Sequence, residues 1–158
     1  IAVSSRPAKR SWNAISFAST LYLVPVLDLL LAEIPAQWKP EVRLGLQEAL
    51  VNAAKHGNNL DPKKTVLVRF SVVADQYWWI ITDQGDGFRH PQDCNPSLEH
   101  TVSCCENECG RGLFILHQIF DQVQWNCQGT ELSCVSELEG IPVAIHLLKG
   151  FGQEVLGL

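Results

Sequence analysis

The chain has 158 residues, 46% of them hydrophobic, which suffices for one core and is short for two, so a single globular domain is expected. Its formal net charge of −5 argues against a protein built to neutralise nucleic-acid phosphates. No apolar run reaches the roughly 18 residues of a membrane span, and the best candidate, LYLVPVLDLLL, is interrupted by Pro25 and Asp28.

No segment has the charged, apolar and small-residue order of a signal peptide, and the expected location is the cytoplasm. The basic run Arg6, Lys9 and Arg10 reads as a solvated N-terminal arm, residues 1–10. Six cysteines (94, 104, 105, 109, 127 and 134) beside a good core read as thiols, not as a disulfide framework.

In chain order, WNAISFAST alternates as an edge strand would. LYLVPVLDLLLAEI then reads as a buried helix with Pro25 in its first turn. Pro35 and Pro40 bracket a break. From Pro40 a second helix is expected, with Pro40 at its first position, Glu41 at its positive end and Gly57 as its stop. Val42, Leu46, Ala49, Leu50 and Ala53 form one apolar stripe, which should pack on a sheet.

TVLVRFSVV and QYWWIITD, separated by Ala74 and Asp75, predict an antiparallel hairpin. The polar stretch from Gly85 to Cys109 has no period. RGLFILHQIFDQV predicts a third helix, and strands follow around VQWNC and TELSCVSEL with Gly129 at the turn between them. This order predicts an α+β fold, a two-layer α/β sandwich with helices on one face of a mixed, mostly antiparallel sheet. Residues 139–158 form an apolar tail of unassigned role.

Three places can carry chemistry. Glu48, Asn52 and His56 recur every four residues along one side of the second helix, with Lys55 beside them. Such a row is either the wet face of an amphipathic helix or a general base placed one turn from a neutral oxygen ligand for Mg²⁺. DQGDGF ends an aromatic strand with an acid followed by two glycines. It is a plain turn, or a carboxylate at the mouth of an apolar pocket, suited to the exocyclic amine of adenine; a calcium loop is a weaker third reading, since the alternating acids and closing glutamate are missing. GRGL opens a helix, where glycines expose backbone N–H groups that welcome an anion, or it is an ordinary loop-to-helix junction. It lacks the GK[ST] of a P-loop.

Together and in this order the three resemble the N, G1 and G2 boxes of the ATPase superfamily shared by gyrase, heat-shock chaperones, histidine kinases and mismatch-repair proteins. EALVNAAKHGN looks like the N box, DQGDGF the first glycine box, CGRGLFIL the second, and QGTELSCV the Gly-Thr strand. The resemblance covers residues 11–138 and implies a histidine-kinase-like ATPase (Bergerat) fold. Within the superfamily the chain is most similar to bacterial anti-sigma-factor serine kinases of partner-switching systems.

That resemblance implies ATP with Mg²⁺, and phosphoryl transfer to a serine or threonine of a STAS-type antagonist, alongside binding of a sigma factor. It implies Glu48 as the base, Asn52 as the Mg²⁺ ligand and Asp83 at adenine N6. Gly85 and Gly87 would shape the base pocket, and Lys55 and His56 would border it. Gly110, Gly112 and Leu113 would face the phosphates, Arg111 the γ-phosphate charge, and Thr130 the adenine. Relatives of this type dimerise, so a homodimer is expected. Two rivals remain: a nucleotide-dependent sequestering module with little or no kinase activity, and a metal or redox sensor built on His90, Cys94, His100, Cys104, Cys105 and Cys109.

Overall fold

The computed structural model describes residues 10–87 and 109–138. The cysteine-rich stretch 104–108, its upstream His90, Cys94 and His100, most of the N-terminal arm and the C-terminal tail lie outside the described residues. Among the described residues no helix is long and apolar enough to cross a membrane.

Among the described residues the strands and α-helices follow the expected order, with a π-helical turn added after the second helix. The elements are β1 (Asn13–Ala18), α1 (Val24–Leu31), α2 (Lys39–Val51), a π-helical turn (Asn52–Gly57), β2 (Thr65–Val73), β3 (Gln76–Thr82), α3 (Cys109–Ile119), β4 (Gln122–Trp125) and β5 (Glu131–Glu137). The strands form one sheet in the order β1-β2-β3-β5-β4. All four described pairings are antiparallel, so the sheet contains no parallel pair among the described strands where a mixed one was expected.

Alternation decides which face of the sheet is buried. On β3, Tyr77, Trp79 and Ile81 are buried while Trp78, Ile80 and Thr82 are half-buried. Register aligns Trp79 with Cys134 and Ile81 with both Val68 and Leu132. These side chains join the helix stripe Val42, Leu46, Ala49, Leu50 and Ala53 in one core. Each of the valine, leucine and isoleucine side chains among them contributes about 1.5–3 kcal/mol on burial. Trp79 anchors the cluster, its ring 5.6 Å from Phe120 and tilted by 55°.

Pro25 sits in the first turn of α1, and Pro40 in that of α2, one residue later than expected because Lys39 is already helical. Proline is tolerated there because the first-turn N–H has no partner within the helix. An Asp28–Arg43 ion pair at 3.0 Å links the outer faces of the two helices. Gly45 lets α2 approach α3: a Cβ there would lie 2.7 Å from the Phe120 ring.

The third helix was expected to run on to Val123, yet it stops at Ile119. There the period changes to two, Asp121 N–H donates to the Val135 carbonyl at 2.9 Å, and Gln122 to Trp125 join the sheet. Arg10 is not merely solvated: its guanidinium stacks 4.5 Å from the Trp78 ring and donates to Gln76 at 3.0 Å on the sheet face away from the helices.

Candidate functional site

The α-helix carrying Glu48 does not continue through His56. It ends at Val51 and widens into the π-helical turn, in which Asn58 N–H reaches back five residues to the Ala53 carbonyl at 2.9 Å. A π turn rotates less per residue than an α-helix, so the expected single row of Glu48, Asn52 and His56 is broken after Asn52. Asn52 and His56 nevertheless line the same cleft, together with Asp83, Asp86 and Gly87. The cleft encloses about 100 Å³.

Gly57, read from the sequence as a helix stop, proves to be the floor beneath Asp83. A Cβ on Gly57 would lie 2.5 Å from one Asp83 carboxylate oxygen and 2.7 Å from the other. Gly85 in turn lies against the Gly57 carbonyl, and its own N–H donates to Asp83 Oδ1 at 2.8 Å. Gly87 adopts φ +74° against the Gln128 carbonyl, so glycine is required both for the backbone angle and for the close approach. The DQGDG segment is therefore folded tightly between the π turn and the β4–β5 turn.

Asp83 is only 9% exposed. Burial raises its carboxyl above the ordinary range, opposed by the Gly85 N–H and by the charge of Lys64. A buried carboxylate with one described hydrogen bond, facing a cleft, is an acceptor ready for an N–H donor.

Asn58 holds this arrangement and was missed. It is fully buried, and its amide donates to Ser19 Oγ at 2.8 Å and to the Thr65 carbonyl at 2.9 Å. Its Oδ1 accepts the Gln84 N–H at 2.7 Å, tying the turn after the π segment to the residue next to Asp83. No local pattern could have signalled this, since Ser19 and Gln84 are 39 and 26 residues away.

Thr130 is fixed similarly. Its hydroxyl accepts from Asn126 Nδ2 at 3.2 Å, its N–H donates to Asn126 Oδ1 at 2.9 Å, and its carbonyl accepts the Asp83 N–H at 2.9 Å. The Gly-Thr strand thus borders Asp83 through its backbone.

At the other end of the site, Gly112 in the first turn of α3 faces Glu48. A Cβ there would be 3.2 Å from Glu48 Oε2 and 3.6–3.8 Å from the Asn52 amide. Glu48, Asn52 and Gly112 therefore meet. Gly110 and Arg111 belong to the same turn of α3, while the surroundings of Gly110 and the Arg111 side chain lie outside the described residues. Leu113 packs on the core, so any contribution to an anion would come from its backbone. Lys55 is exposed and does not line the cleft. The sensor reading gains no described ligand group: among the described residues no cluster of three metal-ligating side chains occurs, and its cysteines and histidines at 90–105 lie outside them.

An antiparallel sheet layered with helices, a buried acid between close-packed glycines and a carboxylate–amide pair at a helix N-terminus together define the class of histidine-kinase-like ATPase domains. The family pattern described as the histidine kinase-like ATPase domain matches residues 26–135, and the chain belongs to that family. Among curated proteins it is similar to one named Serine-protein kinase RsbW from Bacillus velezensis, 35% identical over 88 residues, 53% of this chain and 54% of that protein. A protein of the same name from Bacillus subtilis is 30% identical over 105 residues, 63% of this chain and 65% of the relative. The one from Bacillus licheniformis is 34% identical over 88 residues. The chain thus spans between about half and two thirds of the length of these relatives.

Proposed function

We propose that the chain is an ATP-dependent protein serine/threonine kinase of a bacterial partner-switching system, with the ATPase domain at residues 11–138. Its substrate would be a STAS-type anti-sigma-factor antagonist, and it would act as a homodimer that also binds a sigma factor. The observation that carries this reading is the meeting of Glu48 and Gly112 with Asn52, which lines one cleft together with the buried Asp83. The relatives named as serine-protein kinases support it.

Asp83 accepts the adenine N6 amine, and Gly85 and Gly87 let backbone close around the ring. Backbone N–H groups at Gly110 and Gly112 face the phosphates at the positive end of α3. Asn52 fits a Mg²⁺ ligand because its amide offers a neutral oxygen where phosphates would lie, and the ion would supply charge neutralisation at the transferring group. Glu48 orients the acceptor hydroxyl and takes its proton as the new O–P bond forms. The bond from the γ-phosphorus to the ADP oxygen breaks, and ADP leaves. Arg111 is the candidate for the developing γ-phosphate charge. Phosphoryl transfer demands positioning and electrostatics more than covalent chemistry, so these few groups suffice.

The test is Glu48→Ala. Transfer of labelled phosphate from ATP to a STAS protein should fall at least 100-fold on the scale of a lost general base, with nucleotide affinity changed by less than about threefold. Unchanged transfer would remove Glu48 as base. Tight nucleotide binding with no transfer by the wild type would favour the sequestering module.

A further inference from the structure

Beyond the acid and the glycines, the cleft has one aromatic lining residue among those described, Trp125. The geometry points to Trp125 as the platform on which the purine base stacks, a specificity-determining residue that no sequence box marks. This inference rests on the nucleotide reading above.

Three observations carry it. Trp125 is the last residue of β4 and pairs with Leu132, whose side chain is in the core, so the indole lies on the helix-facing side of the sheet. Asp83 follows β3 on the other flank of β5, bonded through its N–H to Thr130. The acid and the indole therefore stand at the same end of the sheet with the start of β5 between them. The second observation is rigidity. Trp125 is half-buried against the core, and the next residue, Asn126, accepts from the N–H groups of both Thr130 and Glu131 at 2.9 and 3.1 Å. A platform held in this way loses little freedom when a base lands on it.

The third is chemical complementarity. One hydrogen-bond acceptor fixes an edge of a base but leaves its faces unsatisfied, and an indole offers the apolar, polarizable surface a purine face prefers. Base–aromatic stacking corresponds to about ten- to hundredfold in affinity. Asp83 would then select the amine and Trp125 the ring. Among the described tryptophans Trp125 alone lines the cleft, so it should also report occupancy.

The experiment titrates wild type, Trp125→Leu and Trp125→Phe with Mg·ATP and, separately, with inorganic tripolyphosphate, by calorimetry and by tryptophan emission. The expected result is a tenfold or greater loss of ATP affinity in Trp125→Leu, a loss under about threefold in Trp125→Phe, and unchanged tripolyphosphate binding in both. ATP should quench the wild-type indole emission, and the quench should vanish in Trp125→Phe while binding persists. ATP affinity within twofold of wild type in Trp125→Leu, a parallel loss of tripolyphosphate affinity, or a quench that survives in Trp125→Phe would each overturn the platform. Should Trp125→Leu fail to fold, the Trp125→Phe quench decides. A wild type that binds no Mg·ATP at all overturns the nucleotide reading, and this inference with it.

Discussion

Asp83 carries the sharpest consequences of burial. Its carboxyl is held above the ordinary range chiefly by desolvation, so the folded protein binds that proton more tightly than the unfolded chain. The stabilisation is fully present below the unfolded value, near 3.8, and is lost as pH rises through the raised folded value. Asp83→Asn removes this titration. Urea denaturation across that window should show the wild type losing stability relative to the variant as pH rises. The same substitution removes an ionised acceptor, so affinity for adenine nucleotides should fall by about ten- to hundredfold, the range for a charged hydrogen bond. A residue that weakens the empty fold while serving the ligand is the usual compromise of a functional site. Gly57→Ala should separate space from charge, because its Cβ would displace the carboxylate without altering its chemistry. We expect a stability loss of about 1–3 kcal/mol by thermal or chemical unfolding, together with a loss of ATP affinity comparable to that of Asp83→Asn.

At the scale of elements, the β2–β3 turn holds Ala74 at φ +53°, a left-handed conformation that costs a residue with a Cβ about 1 kcal/mol. Asparagine tolerates that region, so Ala74→Asn should raise the midpoint of chemical unfolding by the equivalent of about 0.5–1 kcal/mol, leaving nucleotide affinity unchanged. This hairpin was legible from its two β-rich runs, and so was the apolar stripe of α2, because both depend on periodicity over neighbouring residues. The end of α3 was less legible: FILHQIF satisfies a helical period, and only the pairing of Gln122 to Trp125 with β5 decides where it stops. The π turn was not legible at all. NAAKHG contains good helix formers, and its widening accompanies the long-range bonds of Asn58. Sequence boxes thus identified Glu48, Asn52, Asp83 and the glycines as residues to watch. The close packing that makes Gly57, Asn58 and Trp125 part of the site arises from elements distant in the chain.

On the scale of the whole molecule, three segments converge: the π turn after α2, the DQGDG segment after β3, and the β4–β5 turn, with the start of α3 closing against Glu48. A ligand bridging them would tie together parts of the fold otherwise joined by a few hydrogen bonds. Binding only the folded state, Mg·ATP at 100 times its dissociation constant should add about 2.7 kcal/mol of stability, read as a concentration-dependent rise in thermal midpoint. The most direct measurement is calorimetric titration of wild type and Asp83→Asn with Mg·ATP. Saturable one-site binding by the wild type, weakened at least tenfold in the variant, is the predicted result. Absence of saturable binding by the wild type, or equal affinities in the two proteins, would contradict the assignment of this cleft to an adenine nucleotide.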